Sequence, residues 1–96
     1  MNIGDYVIVR TWSAGVFAGT LTRRVDKEVE LTHARRLWFW DGAASLSELA
    51  TSGTKKPGAC KFPVAVAAVT LTEAIEILAV TPDAQTSIEA VPIWTA

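Results

Sequence analysis

Ninety-six residues and 10.3 kDa provide for one domain, residues 1–96. Nine Lys and Arg against ten Asp and Glu leave a net charge of −1, which excludes a strongly basic binder of polymeric nucleic acid and a polybasic membrane clamp. At 50% hydrophobic and 20% charged, the chain is globular rather than disordered. Four Trp are more indole than one small core readily encloses, so at least one is expected at an interface or ligand surface. The single cysteine, Cys60, excludes an internal disulfide and a cysteine-based zinc site. With His33 the only histidine, neither metal nor cofactor is expected. Met1-Asn2-Ile3-Gly4-Asp5 has no basic n-region or apolar h-region, and the apolar run Phe62 to Val69 contains Pro63 and is too short for a bilayer. A soluble cytoplasmic protein with no membrane partner is expected, and the modest core favours homo-oligomerisation.

In chain order, Gly4-Asp5 signals a turn and Tyr6 to Trp12 alternates as a strand. Ser13-Ala14-Gly15 breaks it with a tight loop. Val16 to Arg24 reads as a second strand, with Gly19 a candidate bulge. After the polar link Val25-Asp26-Lys27, Glu28 to Thr32 alternates as a half-buried strand. Leu37 to Trp40, behind Arg35-Arg36, reads as a short aromatic strand, and Asp41-Gly42 as a turn. Ser45-Leu46-Ser47-Glu48 is a capping box, opening a short helix that Gly53 ends. Thr51 to Ala59 holds a loop, Lys61 to Val66 a further strand, and Val69 to Ile77 an alternating segment that favours strand over helix. Thr81-Pro82-Asp83 starts a second helix with Ala84, Ile88 and Val91 as its apolar stripe. Pro92 stops it, leaving Ile93-Trp94 as a tail. The sum is a small α+β fold: a strongly bent antiparallel sheet of five or six strands with two short helices.

Few constellations suggest catalysis. Lys61 beside Cys60 could depress the thiol pKa, but a buried, inert cysteine is the ordinary reading, and His33 reads as structural rather than as a general base. Glu28 and Glu30 share a strand face, the usual solvated arrangement rather than a glycosidase pair. No phosphate loop or dinucleotide fingerprint is present. A non-enzymatic role is therefore expected. Two segments suit ligand binding. In Arg10-Thr11-Trp12-Ser13-Ala14-Gly15-Val16, a small-residue loop lets backbone amides approach an anion, with Thr11 and Ser13 as hydroxyl donors. In Arg35-Arg36-Leu37-Trp38-Phe39-Trp40, alternation groups Arg36 with Trp38 and Trp40, a cation beside two indoles that suits a phosphate attached to a ring. A plain hairpin turn, and one core face with a solvated Arg, are the bland alternatives. The candidate ligand-binding residues are Arg10, Thr11, Ser13, Gly15, Val16, Arg35, Arg36, Trp38 and Trp40.

These two segments, with Gly42-Ala43 and Leu71-Thr72-Glu73-Ala74-Ile75-Glu76-Ile77, resemble a family of small phage and prophage proteins catalogued as a domain of unknown function. Ala34-Arg35-Arg36-Leu37-Trp38-Phe39-Trp40 is the most specific string. The resemblance extends to the first-described anti-Thoeris proteins, with which that family overlaps. Those are sponges that sequester cyclic ADP-ribose isomers made by TIR enzymes, and in some members cyclic oligonucleotides of CBASS, without cleaving them. The resemblance implies a phage anti-defence protein in the cytoplasm of an infected bacterium, a cyclic nucleotide messenger as ligand, and a homo-oligomer, dimer or hexamer. Sponges of this type also use basic or amide residues toward the C-terminus, and the chain departs from them in having no Lys or Arg after Lys61. The alternative function is a protein-binding inhibitor or assembly module that docks a host protein through its Trp-rich face.

Overall fold

A computed structural model describes all 96 residues. Five strands form one antiparallel sheet: β1 (Tyr6–Thr11), β2 (Val16–Val25), β3 (Glu28–Arg36), β4 (Val66–Leu71) and β5 (Ala74–Ala79). Two helices, α1 (Leu46–Ser52) and α2 (Pro82–Ala90), and a 3-10 turn at Pro57–Ala59 complete the α+β fold. No helix is long and apolar enough to cross a membrane.

The strand order β4-β3-β2-β1-β5 places two strands that are consecutive in sequence at opposite edges of the sheet. In a flat sheet those edges would stand about 19 Å apart, four spacings of about 4.8 Å. Only Thr72 and Glu73 join them, a reach of about 11 Å from Leu71 to Ala74. The sheet must therefore curl strongly on itself, although β4 and β5 do not pair and it stays open. Two corner bonds hold the curl: Ala74 N–H donates to the Lys27 carbonyl and Trp12 N–H to the Glu73 carbonyl, each at 3.0 Å. The bulge that contributes to the bend lies on β3 rather than at Gly19 as expected: Ala18 pairs with Arg35 and Thr20 with Thr32, so His33 (φ +49°) and Ala34 together face Gly19. A Cβ on Gly19 would meet the Thr32 carbonyl oxygen at 3.0 Å, so the position facing the bulge needs glycine for space.

Curling buries both faces. Val7, Val9, Phe17, Leu21, Val29, Leu31, Ala34 and Leu71, all strand residues, form one core within the curl. On the other face Ile8, Ala18 and Leu37 meet Leu49, Ala50, Cys60, Phe62, Ile88 and Val91 beneath the helices. Leu49 and Ile88 are fully buried, each contributing about 1.5–3 kcal/mol of transfer free energy.

The helix ends follow their sequence signals. Ser45 Oγ accepts from the Glu48 N–H at 3.2 Å, while Glu48 Oε1 accepts from Ala44 N–H, so the reciprocal half of the capping box lands one residue earlier than its usual place. Gly53 ends α1 at φ +76°, its N–H bonded to the Leu49 carbonyl. Thr81 caps α2 by accepting from Ala84 N–H and donates to the Thr51 carbonyl, tying the helices together.

Three local expectations are corrected. Glu28 to Thr32 does not stop before the arginines: β3 runs on to Arg36, and of Leu37 to Trp40 only Phe39 forms a bridge, with Lys61. The expected Lys61 to Val66 strand reduces to bridges at Lys61 and Phe62, because Pro63 interrupts the run and pairing resumes at Val66. The alternating segment Val69 to Ile77 divides between β4 and β5, at opposite sheet edges.

Candidate functional site

The turn between β1 and β2 is built by Thr11. Its N–H and Oγ1 both donate to the Gly15 carbonyl, at 3.0 and 2.7 Å, and Oγ1 accepts from Ala14 N–H at 2.9 Å. Gly15 adopts φ +95°, a left-handed conformation that side chains resist. The amides of Ser13 and Gly15 are left without a protein acceptor. Arg36, last residue of β3, reaches across: Nη1 donates to the Ala14 carbonyl at 2.5 Å, and the guanidinium lies 4.3 Å from the Phe17 ring centroid. Phe17 is buried, so it fixes the Arg36 plane from below while the outer side stays exposed.

Ser13, Ala14, Gly15 and Val16 form one wall of an open cleft of about 360 Å³, and Arg36, Leu37, Trp38 and Trp40 form the other. The two sequence segments thus meet in one place. Six of the nine candidate residues line it: Ser13, Gly15, Val16, Arg36, Trp38 and Trp40. Arg36 is the only charged one, and one of its five N–H groups is spent on the loop. Trp40 is half-buried and also packs on the helix-side core.

Arg10, Thr11 and Arg35 do not line it. Arg10 Nε donates to Glu76 Oε1 at 3.0 Å on the exposed surface of β1 and β5. The Thr11 hydroxyl is consumed in holding the loop, which makes it a positioning group. Arg35 points the other way from Arg36, as alternation requires. It donates from Nε to the Pro63 carbonyl (3.1 Å), from Nη1 to that of Ile88 (2.9 Å) and from Nη2 to that of Phe62 (2.9 Å). It is 6% exposed, and burial pushes its pKa down from the ordinary guanidinium value against weaker opposing effects of Tyr6 and Cys60. Its role is to join α2 and the Phe62-Pro63 segment to the sheet.

Two neighbours, Trp94 and Lys61, are not among the candidate ligand-binding residues. Trp94 stacks on Trp38 with ring centroids 5.0 Å apart and planes 4° from parallel. Lys61 Nζ sits 5.2 Å from the Trp38 ring and 5.7 Å from that of Trp94, a second cation beside the indole wall. The tail is held by Trp94 N–H donating to the Phe62 carbonyl at 3.0 Å. The only sequence signal was the apolar pair Ile93-Trp94 after Pro92.

The other reactive groups lie elsewhere. Cys60 is buried, its Sγ near the Asp41 and Lys56 carbonyls and the Thr54 hydroxyl. His33, at φ +49°, lines a separate groove with Tyr6, Arg35 and Glu89. Glu28 is paired with Arg23 at 2.7 Å, and Glu30 accepts from the Thr22 hydroxyl. The cleft itself offers two amides, an oriented guanidinium and flat indole surface. Such groups suit an anion and a ring, and no nucleophile–base pair lines the cleft.

The family model for the domain of unknown function DUF6948 matches residues 4–88, and the chain belongs to that family. No curated protein and no solved structure matches it.

Proposed function

We propose that this protein binds and sequesters a small cyclic nucleotide messenger without cleaving it. The observation that carries the reading is the convergence, in one cleft, of the Ser13 and Gly15 amides with Arg36, Trp38 and Trp40. The amides and the guanidinium meet phosphate oxygens, and an indole meets the base. A volume of about 360 Å³ lies within the range of about 300–1,000 Å³ that small-molecule sites occupy. Near-neutral net charge suits a compact ligand with two or three phosphates, which needs few cations, and Lys61 adds one near the indole wall. The ligand class within this proposal, cyclic ADP-ribose isomers or cyclic oligonucleotides, comes from the resemblance to anti-Thoeris sponges. With it come the phage anti-defence role in the host cytoplasm and the homo-oligomeric state.

The test is to incubate the protein with each messenger, denature it by heat and analyse the released nucleotide. Sequestration returns the messenger intact; a linearised product would refute it and indicate a phosphodiesterase.

A second reading rests on the exposed aromatic surface. Trp38 is 59% exposed and stacked on Trp94, with Phe39 beside it, as on a surface that docks a protein. Under that reading no nucleotide shifts the melting temperature, and Arg36→Ala leaves function intact.

A further inference from the structure

The two edges of the sheet are defended unequally. β5 carries Glu76, ion-paired to Arg10, and follows directly on Glu73, so its exposed Ile75 stands between carboxylates. β4 has no such protection. From Val64 through Thr72 no residue is charged and none is proline, and Val64, Ala65, Val66, Ala67 and Ala68 are all exposed. Val64 and Val66 keep 62% and 45% of their surface in solvent. On its inner side β4 pairs with β3 from Val29↔Leu71 to Ala34↔Val66. On its outer side no residue from 66 to 71 makes a hydrogen bond outside the sheet, so alternate N–H and C=O groups of this edge are unpaired. Natural edge strands are blunted by charge, proline, bulges or covering, and a regular, apolar, uncharged edge is a template for another strand.

We propose that β4 pairs antiparallel with β4 of a second copy across a two-fold axis, joining two curled sheets into one ten-stranded sheet. The charge pattern selects this occupant. A two-fold pairing sets a strand against itself, and like charges in facing positions repel. β4 brings no charge to that juxtaposition, whereas β5 would bring Glu76 towards its own copy. Uncharged β4 likewise offers nothing to select a charged foreign peptide. Exposed Ile93, which shares a groove with Ala65, lies beside the edge and extends the apolar area a second copy would cover. The interface lies apart from the ligand cleft: no residue of β4 lines it.

The experiment measures mass by sedimentation and light scattering through the micromolar range. It compares the native chain with the Val66→Lys/Ala68→Lys double variant and with Ile75→Lys on the opposite edge. The native chain and Ile75→Lys are expected at twice the 10.3 kDa chain mass, and the double variant at 10.3 kDa with an unchanged far-UV spectrum. A monomeric native chain, or a folded double variant that stays dimeric, overturns the proposal. If the double variant fails to fold, amide exchange on the native chain decides. Protection at every β4 residue supports the pairing, and exchange of every second amide at an exposed rate refutes it.

Discussion

Arg35→Met removes a guanidinium whose three hydrogen bonds tie separate parts of the chain to β3. The acceptors are the carbonyls of Phe62 and Pro63 in the segment leading to β4, and of Ile88 in α2. Each charge-assisted bond is worth about 1.5–3 kcal/mol when a partner is removed. The three losses do not add fully, and Met recovers part of the packing while sparing the cost of holding a cation at 6% exposure. A net destabilisation of about 3–5 kcal/mol is expected, the usual cost of leaving buried polar partners unmatched. For a chain of this size each kcal/mol lowers Tm by about 4–8 °C, so Tm should fall by at least about 12 °C. Urea unfolding gives the free energy and a thermal scan the midpoint. Arg35→Lys should recover only part of the loss, because an ammonium does not present the planar fork that reaches three carbonyls. A loss below about 1 kcal/mol for Arg35→Met, the level of a surface ion pair, would refute this role.

Tyr6 is the only tyrosine, so its ionisation is read directly from absorbance near 295 nm. Burial, aided by Glu89 and opposed by Arg35, raises its pKa from 10.0 to about 12. The unfolded chain therefore loses this proton first: the contribution is intact below pH 10 and fades as pH rises from 10 to about 12. It amounts to about 3 kcal/mol, which Tyr6→Phe should not lose, and a native midpoint near 10 would contradict it. Gly53→Ala puts a Cβ against the Ser87 side chain at φ +76° and should destabilise by about 2–4 kcal/mol in urea; an effect within error would refute the helix-end geometry. Trp94→Ala removes the stack behind Trp38 and should cost about 1 kcal/mol of stability. It should also weaken ligand binding severalfold by calorimetry; unchanged affinity would exclude Trp94 as a support for the indole wall.

Local signals proved legible where neighbours in sequence decide the outcome. The Ser45-to-Glu48 box, Thr81-Pro82-Asp83 and the stripe Ala84, Ile88 and Val91 depend on short-range geometry, and all appear. The bulge expected at Gly19 falls on β3 opposite it, because strand pairing and not the glycine alone decides which strand carries the extra residue. Alternation correctly set Arg35 opposite Arg36, but the strand ends there, and Leu37, assigned to the other face, lines the same cleft as Trp38 and Trp40. It did not reveal which Arg is buried, because both sheet faces are covered, one within the curl and one by helices. The split of Val69 to Ile77 between opposite edges is likewise invisible to a period of two, which β4 and β5 both satisfy; it follows from closure of the curl. Trp94 and Lys61 reach the indole wall through the Phe62–Ile93 and Phe39–Lys61 bridges, contacts distant in sequence with no local pattern. The loop at Ser13 to Gly15 was placed correctly, but Thr11 was read as a ligand donor when its hydroxyl is spent holding the turn.

The central claim is that the cleft holds a phosphorylated, ring-bearing messenger through Arg36. Calorimetric titration of the native chain, Arg36→Ala and Arg23→Ala with cyclic ADP-ribose isomers and cyclic oligonucleotides tests it most directly. Arg23 pairs with Glu28 away from the cleft and serves as the control. Arg36→Ala should lose about 1.5–3 kcal/mol, or about ten- to a hundredfold in affinity, while Arg23→Ala binds as the native chain does. Equal losses at both positions, or no binding of any messenger by the native chain, would contradict the account.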